Sequence, residues 1–201
     1  MTVSASKQEP WDRRWAQYAA GHGHLWTDAD RHSTHGHGGW ARHLARVCGI
    51  DAVDQVIAES VEAMIDQVEA GHIELLPGVD ALLAAVTNRA ATGVVSASPC
   101  RFVAATLDHL GLRRSLQVVV AREDQAQTKP HPQPWLHAAA LLAVDPNTCV
   151  AVGDSVAGIW SAHAAGMRVL TIPSWAPAPD HDHAQRWLSS ILTESASTIT
   201  R

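Results

Sequence analysis

Gly93-Val94-Val95-Ser96-Ala97-Ser98, Thr128-Lys129-Pro130-His131-Pro132 and Cys149-Val150-Ala151-Val152-Gly153-Asp154-Ser155-Val156-Ala157-Gly158-Ile159 follow one another in the second half of the chain. The first is a short β-branched run that opens after a glycine and stops at small polar residues, the pattern of a buried parallel strand with Ser96 at its carboxyl end. Open α/β sheets bind ligands beyond the carboxyl ends of their strands. A hydroxyl there, with the amides of Ala97 and Ser98 leading into the next helix, suits a phosphate oxygen. The competing reading is that Ser96 and Ser98 cap that helix.

Lys129 follows an apolar strand pattern, Gln117-Val118-Val119-Val120-Ala121, and a polar segment from Arg122 to Thr128. Pro130 and Pro132 restrict the backbone, so the loop aims its ammonium in few directions, and a compact cation on a long stem suits a phosphate or an aspartate. A solvated surface lysine is the alternative. Scarcity weighs against it, because Lys7 and Lys129 are the only lysines in the chain. In the third segment an apolar strand ends in Asp154 and an alanine-rich helix follows. A carboxylate at such a strand end is a natural Mg²⁺ ligand. An N-cap role for Asp154 or Ser155 competes with it.

Taken together, these segments resemble the haloacid dehalogenase superfamily, in its branch of small-molecule phosphatases and β-phosphoglucomutase-like enzymes. Ser96 matches that family's second motif, Lys129 with Pro130 and Pro132 its third, and Gly153-Asp154-Ser155 with Gly158-Ile159 its fourth. The likeness continues through Ala164-Ala165-Gly166-Met167 and back through Leu76-Pro77-Gly78-Val79. It implies an α/β fold, with a three-layer parallel-sheet core and an α-helical cap subdomain. It also implies a phosphate site made by Ser96, Ala97, Ser98 and Lys129, with Asp154 as the metal ligand and Mg²⁺ as cofactor.

The departure from the family is at the front. Its members begin with a strand ending Asp-x-Asp-Gly-Thr, whose first aspartate attacks phosphorus. This chain opens Met1-Thr2-Val3-Ser4-Ala5-Ser6, similar to the residues that follow that motif, so the central first strand is expected to be missing. Asp28-Ala29-Asp30 has the bare spacing but follows His22-Gly23-His24-Leu25-Trp26-Thr27 instead of a β-branched run, and is rejected as the nucleophile. Gly153 and Gly158 stand where many relatives carry acids. One carboxylate is poor provision for Mg²⁺, so little metal binding is expected of this chain alone.

From Gln8 to Gly71 the pattern is helical. Pro10 opens one helix, Thr27 to Asp30 a second and Trp40 a third, and Asp51 is expected to cap a long amphipathic helix bearing Val56, Val61, Met64, Ile65 and Val68. After Gly78, helices near 79–89, 101–110, 134–142 and 156–165 alternate with strands near 94–96, 118–120, 150–152 and 168–172, which specifies a parallel sheet. The expected division is a remnant at 1–6, a helical cap at 7–72, an α/β core at 73–175 and a tail with a short helix at 176–201. By resemblance, His35-Gly36-His37 is a substrate-facing cap loop. His22, His24, His32, His35 and His37 lack the helical pairing and co-ligands of a transition-metal site.

At 201 residues and 46% hydrophobic composition the chain can bury a substantial core, and its net charge of −5 gives no footing for nucleic acid or an anionic membrane. Three scattered cysteines and the lack of a leader pattern or a membrane-length apolar run point to a reduced cytosol. Thirteen histidines and eight tryptophans are unexplained by sequence. Two classes of function follow. The first is a phosphatase of small phosphorylated metabolites such as sugar or polyol phosphates, a monomer or weak dimer, whose reading frame begins upstream of Met1. The second is a catalytically dead relative binding phosphometabolites or a protein. A phosphomutase is a further alternative within the enzyme class.

Overall fold

The computed structural model describes residues 8–34, 39–76 and 78–171. His35-Gly36-His37 and the tail at 176–201 lie outside the described residues, as does the segment at 1–6.

Four helices form the first half: α1 Gln8–Gly21, α2 Asp28–Thr34, α3 Trp40–Cys48 and α4 Val53–Glu69. Their shared interior is aromatic. Trp15 stacks on Trp40 at 5.3 Å between ring centroids, with Trp26 and Trp11 tilted against this pair. Leu44, Ala45 and Val56 complete the cluster. Four of the eight tryptophans thus serve one purpose: a few short helices enclose little volume, and large rings bury more apolar area per residue than aliphatic side chains do. α3 ends at Gly49, whose φ of +67° places it in the left-handed region that a Cβ disfavours. Asp51 does not cap α4. The helix starts at Val53 after Ala52, with no side-chain cap, and Asp51 contributes only its carbonyl to the Val53 amide.

The second half alternates α5 Val79–Thr87, β1 Gly93–Val95, α6 Cys100–His109, β2 Val118–Val120, α7 Gln133–Leu141, β3 Val150–Gly153, α8 Val156–Ala164 and β4 Arg168–Thr171. Each expected element is present within a residue or two of its expected bounds. β1 pairs with β2 in parallel, Val94 opposite Val119, and β3 pairs with β4 in parallel, Ala151 opposite Val169. Among the described residues no pairing joins the two, so the single expected sheet is seen as two halves. Successive side chains of a strand face opposite ways. Val94 accordingly packs with α5 and α6 through Val79, Leu83, Val103 and Leu107. Val95 packs with Trp135 and Ala138 of α7, and that cluster also holds Ala151 and Ala162, so one apolar body underlies both strand pairs.

The two halves of the chain meet where α4 lies on α6. Trp11 sets its edge against Phe102 at 5.0 Å, Met64, Val68 and Ile73 pack around them, and Arg101 forms an ion pair with Glu62.

Candidate functional site

β1 ends at Val95, so Ser96 lies just beyond the strand, where the backbone is held from both sides. Its amide donates to the Val120 carbonyl at 2.8 Å, extending the β1–β2 ladder by one bond. Its own carbonyl accepts from Gln125 Nε2 at 2.5 Å, and the same amide group reaches the Ala121 carbonyl at 2.9 Å. The Ser96 hydroxyl accepts the Ser98 amide at 3.1 Å. A hydroxyl has one proton to give besides its acceptor sites. Neither serine caps α6. The helix begins after Pro99 without a side-chain cap from its own flank, and the Cys100 amide donates instead to Glu123 Oε2 at 2.7 Å.

Lys129 is buried at 8% exposure, so the surface-lysine alternative falls. Its Nζ donates to the Val95 carbonyl at 2.8 Å and sits 5.0 Å from the centre of the Trp135 ring. A cation over an indole face is attracted by the ring quadrupole. Burial pushes the Lys129 ammonium down to about 8, and the charge of Asp154 works against that shift. The Lys129–Pro130 peptide is cis, and the next turn is anchored by Ser161, a fully buried hydroxyl that donates to the His131 carbonyl at 2.6 Å.

The capping role at α8 belongs to Ser155, whose Oγ accepts the Gly158 amide at 3.2 Å. Asp154, one residue past β3, acts on Lys129 through its charge. Lys129 therefore connects two of the sequence-selected positions: it is bonded to the residue before Ser96 and is electrostatically coupled to Asp154. For a divalent cation the described residues offer little else. Gly153 and Gly158 carry no side-chain donor, and no cluster of three or more His, Cys, Asp or Glu is found among the described residues.

Asp28 and Asp30 lie far along the chain from these strands, at the start of α2. Asp28 pairs with Arg31, while Asp30 is buried and accepts from His43 Nε2 at 2.8 Å and His24 Nε2 at 3.1 Å. His22 and His32 each bond a helix carbonyl one turn back. Sequence reasoning missed Glu123, Gln125 and Ser161, whose partners are 23 to 30 residues away. The only signal for them is their place in the segment before Lys129, for Glu123 and Gln125, and in the helix after Asp154, for Ser161.

No described helix is long and apolar enough to cross a membrane. The haloacid dehalogenase-like hydrolase family matches residues 5–166. Hexitol phosphatase B of Escherichia coli K12 is 36% identical over 152 residues, covering 75% of this chain and 64% of that protein. A phosphoglycolate phosphatase of Xylella fastidiosa is 33% identical over 109 residues, 54% of this chain and 47% of its own length. The chain thus spans less than two thirds of these relatives. Among solved structures, β-phosphoglucomutase of Clostridium difficile superposes with a TM-score of 0.78 at 17% identity, over 98% of this chain and 96% of that one. CbbY of Rhodobacter sphaeroides, solved with phosphate, gives 0.73 at 22% identity, over 87% and 82%. These two carry the fold alone. Given a family match across most of its length, the chain belongs to the haloacid dehalogenase-like hydrolases.

Proposed function

We propose that this chain forms the phosphate-binding body of a phosphatase acting on small phosphorylated metabolites of the sugar or polyol phosphate class. The observation that carries the reading is the buried Lys129 ammonium, bonded to the Val95 carbonyl beside Ser96 and facing the charge of Asp154. In this reading Lys129 neutralises the transferring phosphoryl group and the Ser96 hydroxyl donates to one of its oxygens. Such preorganised donors are worth roughly 3 kcal/mol each in the transition state. The identity to hexitol phosphatase B supports a polyol phosphate as substrate.

The attacking group is proposed to be an aspartate on a further strand laid between β1 and β3, encoded upstream of Met1. It would displace the substrate's alcohol, which leaves with a proton, and water would then cleave the aspartyl-phosphate to inorganic phosphate. The ends of β1 and β3, which carry Ser96 and Asp154, would flank that strand. Mg²⁺ is the expected partner of the complete enzyme, with Asp154 its ligand from this chain. The described residues do not complete its shell. The His35-Gly36-His37 loop is proposed to meet the non-phosphate part of the substrate, and the reduced cytosol is the proposed compartment.

A second reading, phosphate binding without turnover, is favoured by Asp154 being the one carboxylate seen to act on Lys129 among the described residues. A phosphate-release screen over sugar and polyol phosphates with Mg²⁺, comparing this chain with an upstream-extended form, tests both. Turnover only in the extended form supports the proposal. Equal turnover in the two would refute the assignment of the nucleophile, and none in either would leave the binding-only reading.

A further inference from the structure

A cavity of about 550 Å³ lies between α1, α4 and the connector that leaves α4 for the second half of the chain. Its polar lining is Arg13, Arg14 and Gln17 from α1, Gln67 from α4, and His72 and Glu74 from the connector. None of these residues belongs to the Ser96, Lys129 and Asp154 group. Two guanidiniums line the cavity together with the Glu74 carboxylate, and Arg14 also lies in the field of the Glu59 carboxylate. The size falls in the usual range of metabolite pockets.

Arg14 is held in place before any ligand arrives. Its guanidinium carbon lies 5.3 Å from the centre of the Tyr18 ring, and Nη2 donates to the Glu59 carbonyl at 3.4 Å. Its Nε is screened from solvent and has no acceptor among the described residues, so it lies behind the cavity wall and is not presented to a ligand. A guanidinium fork suits the paired oxygens of phosphate or carboxylate. His72 Nδ1 donates to Gln67 Oε1 at 3.0 Å, which turns the amide nitrogen of Gln67 away from that bond and leaves it as a donor. The lining thus sets donors from Arg13, Arg14 and Gln67 beside the Glu74 carboxylate.

We propose that this cavity is a second anion site, taking a small metabolite that bears a phosphate or carboxylate group, separate from the site at the strand ends. Its location gives it a consequence. Ile73, between His72 and Glu74, packs with Met64 and Val68 in the cluster that includes Trp11 and Phe102, where the helical half meets α6. An anion drawn to Arg13 and Arg14 would touch the connector on either side of Ile73 and so bias the placement of the helical half on the α/β half.

The test is calorimetric titration of the 201-residue chain with inorganic phosphate, using wild type, Arg13→Gln/Arg14→Gln, Glu74→Gln and Lys129→Ala. The proposal expects a binding component that survives Lys129→Ala. That component should weaken about tenfold or more in the double variant, which loses its charge-assisted bonds. Glu74→Gln keeps both arginines and removes the opposing charge, so it should tighten the same component about threefold. Loss of all binding on Lys129→Ala alone would overturn the proposal while supporting the strand-end site. Unchanged affinity in the double variant, or no tightening with Glu74→Gln, would also overturn it. If the double variant fails to fold, Glu74→Gln decides alone.

Discussion

Lys129 Nζ lies 2.8 Å from the carbonyl oxygen of Val95, so the loop between β2 and α7 is tied to the end of β1 one residue before Ser96. The bond fixes the position of the ammonium, and burial sets its affinity for a proton. Burial brings it down to about 8 against the opposing pull of Asp154. Anion binding at Ser96 needs the charged form. Phosphate affinity at this site should therefore hold up to pH 8 and then fall, approaching tenfold per pH unit as the ammonium discharges. Calorimetry from pH 7.5 to 9.5 checks this, and a flat profile would contradict it.

The same burial makes a stability prediction with a definite sign. The unfolded lysine keeps its proton up to its ordinary 10.5, while the folded one releases it near 8. Between those values the unfolded chain binds more protons, so stability rises with pH across that window, and below it the full desolvation cost is present. Lys129→Met removes that cost but leaves the Val95 carbonyl without its donor. The net expectation is a gain of about 1–2 kcal/mol at pH 7 and loss of the rise above pH 8. Urea melts at pH 7, 9 and 10 decide it, and a less stable Met variant would contradict it.

Ser161→Ala removes the fully buried hydroxyl that holds the His131 carbonyl, two residues beyond Lys129. It should cost about 1–2 kcal/mol and raise hydrogen exchange in the loop from Thr128 to Gln133. The exchange measurement separates this local anchor from a general loss of packing. Unchanged exchange in that loop would show that the bond does not fix it.

Elements whose cause is local could be read directly from sequence. The run Gly93 to Val95 has the β-branched content of a buried strand, and Gly93 suits its place because a Cβ there would come within 3.1 Å of the Val118 carbonyl. The alternation from Val79 to Thr171 followed in the same way. What was not legible depends on groups far apart in sequence. The Cys100 amide is capped by Glu123, and nothing near Ser96 or Ser98 signals that those serines are relieved of capping. The expectation that Asp51 caps α4 failed because residue type alone does not fix where the first helical turn closes; the chain turns one residue later, at Ala52. The tryptophan excess made sense only once Trp11, Trp15, Trp26 and Trp40 were seen to meet.

Asp30 carries an acid-stability prediction. Burial opposes its ionisation, but hydrogen bonds from the Thr27 hydroxyl at 2.7 Å and amide at 2.9 Å, and from His43 and His24, outweigh that and hold the carboxyl well below the usual carboxylate range. Its contribution is thus fully present above the ordinary value of 3.8 and is lost as pH falls below it. Asp30→Ala should cost about 2–3 kcal/mol at pH 7 and narrow the gap in stability between pH 5 and pH 3. Tryptophan fluorescence follows it, because Trp26 lies edge-on to His43 at 6.0 Å. An unchanged gap would contradict the assignment.

The most direct test of the strand-end site is a crystal structure of this chain grown with tungstate, a phosphate-shaped anion located by its anomalous signal. The account predicts a peak within hydrogen-bonding distance of Ser96 Oγ and Lys129 Nζ, on the side facing Asp154. A well-occupied peak elsewhere with this position empty, or Lys129 turned away from Ser96, would contradict it.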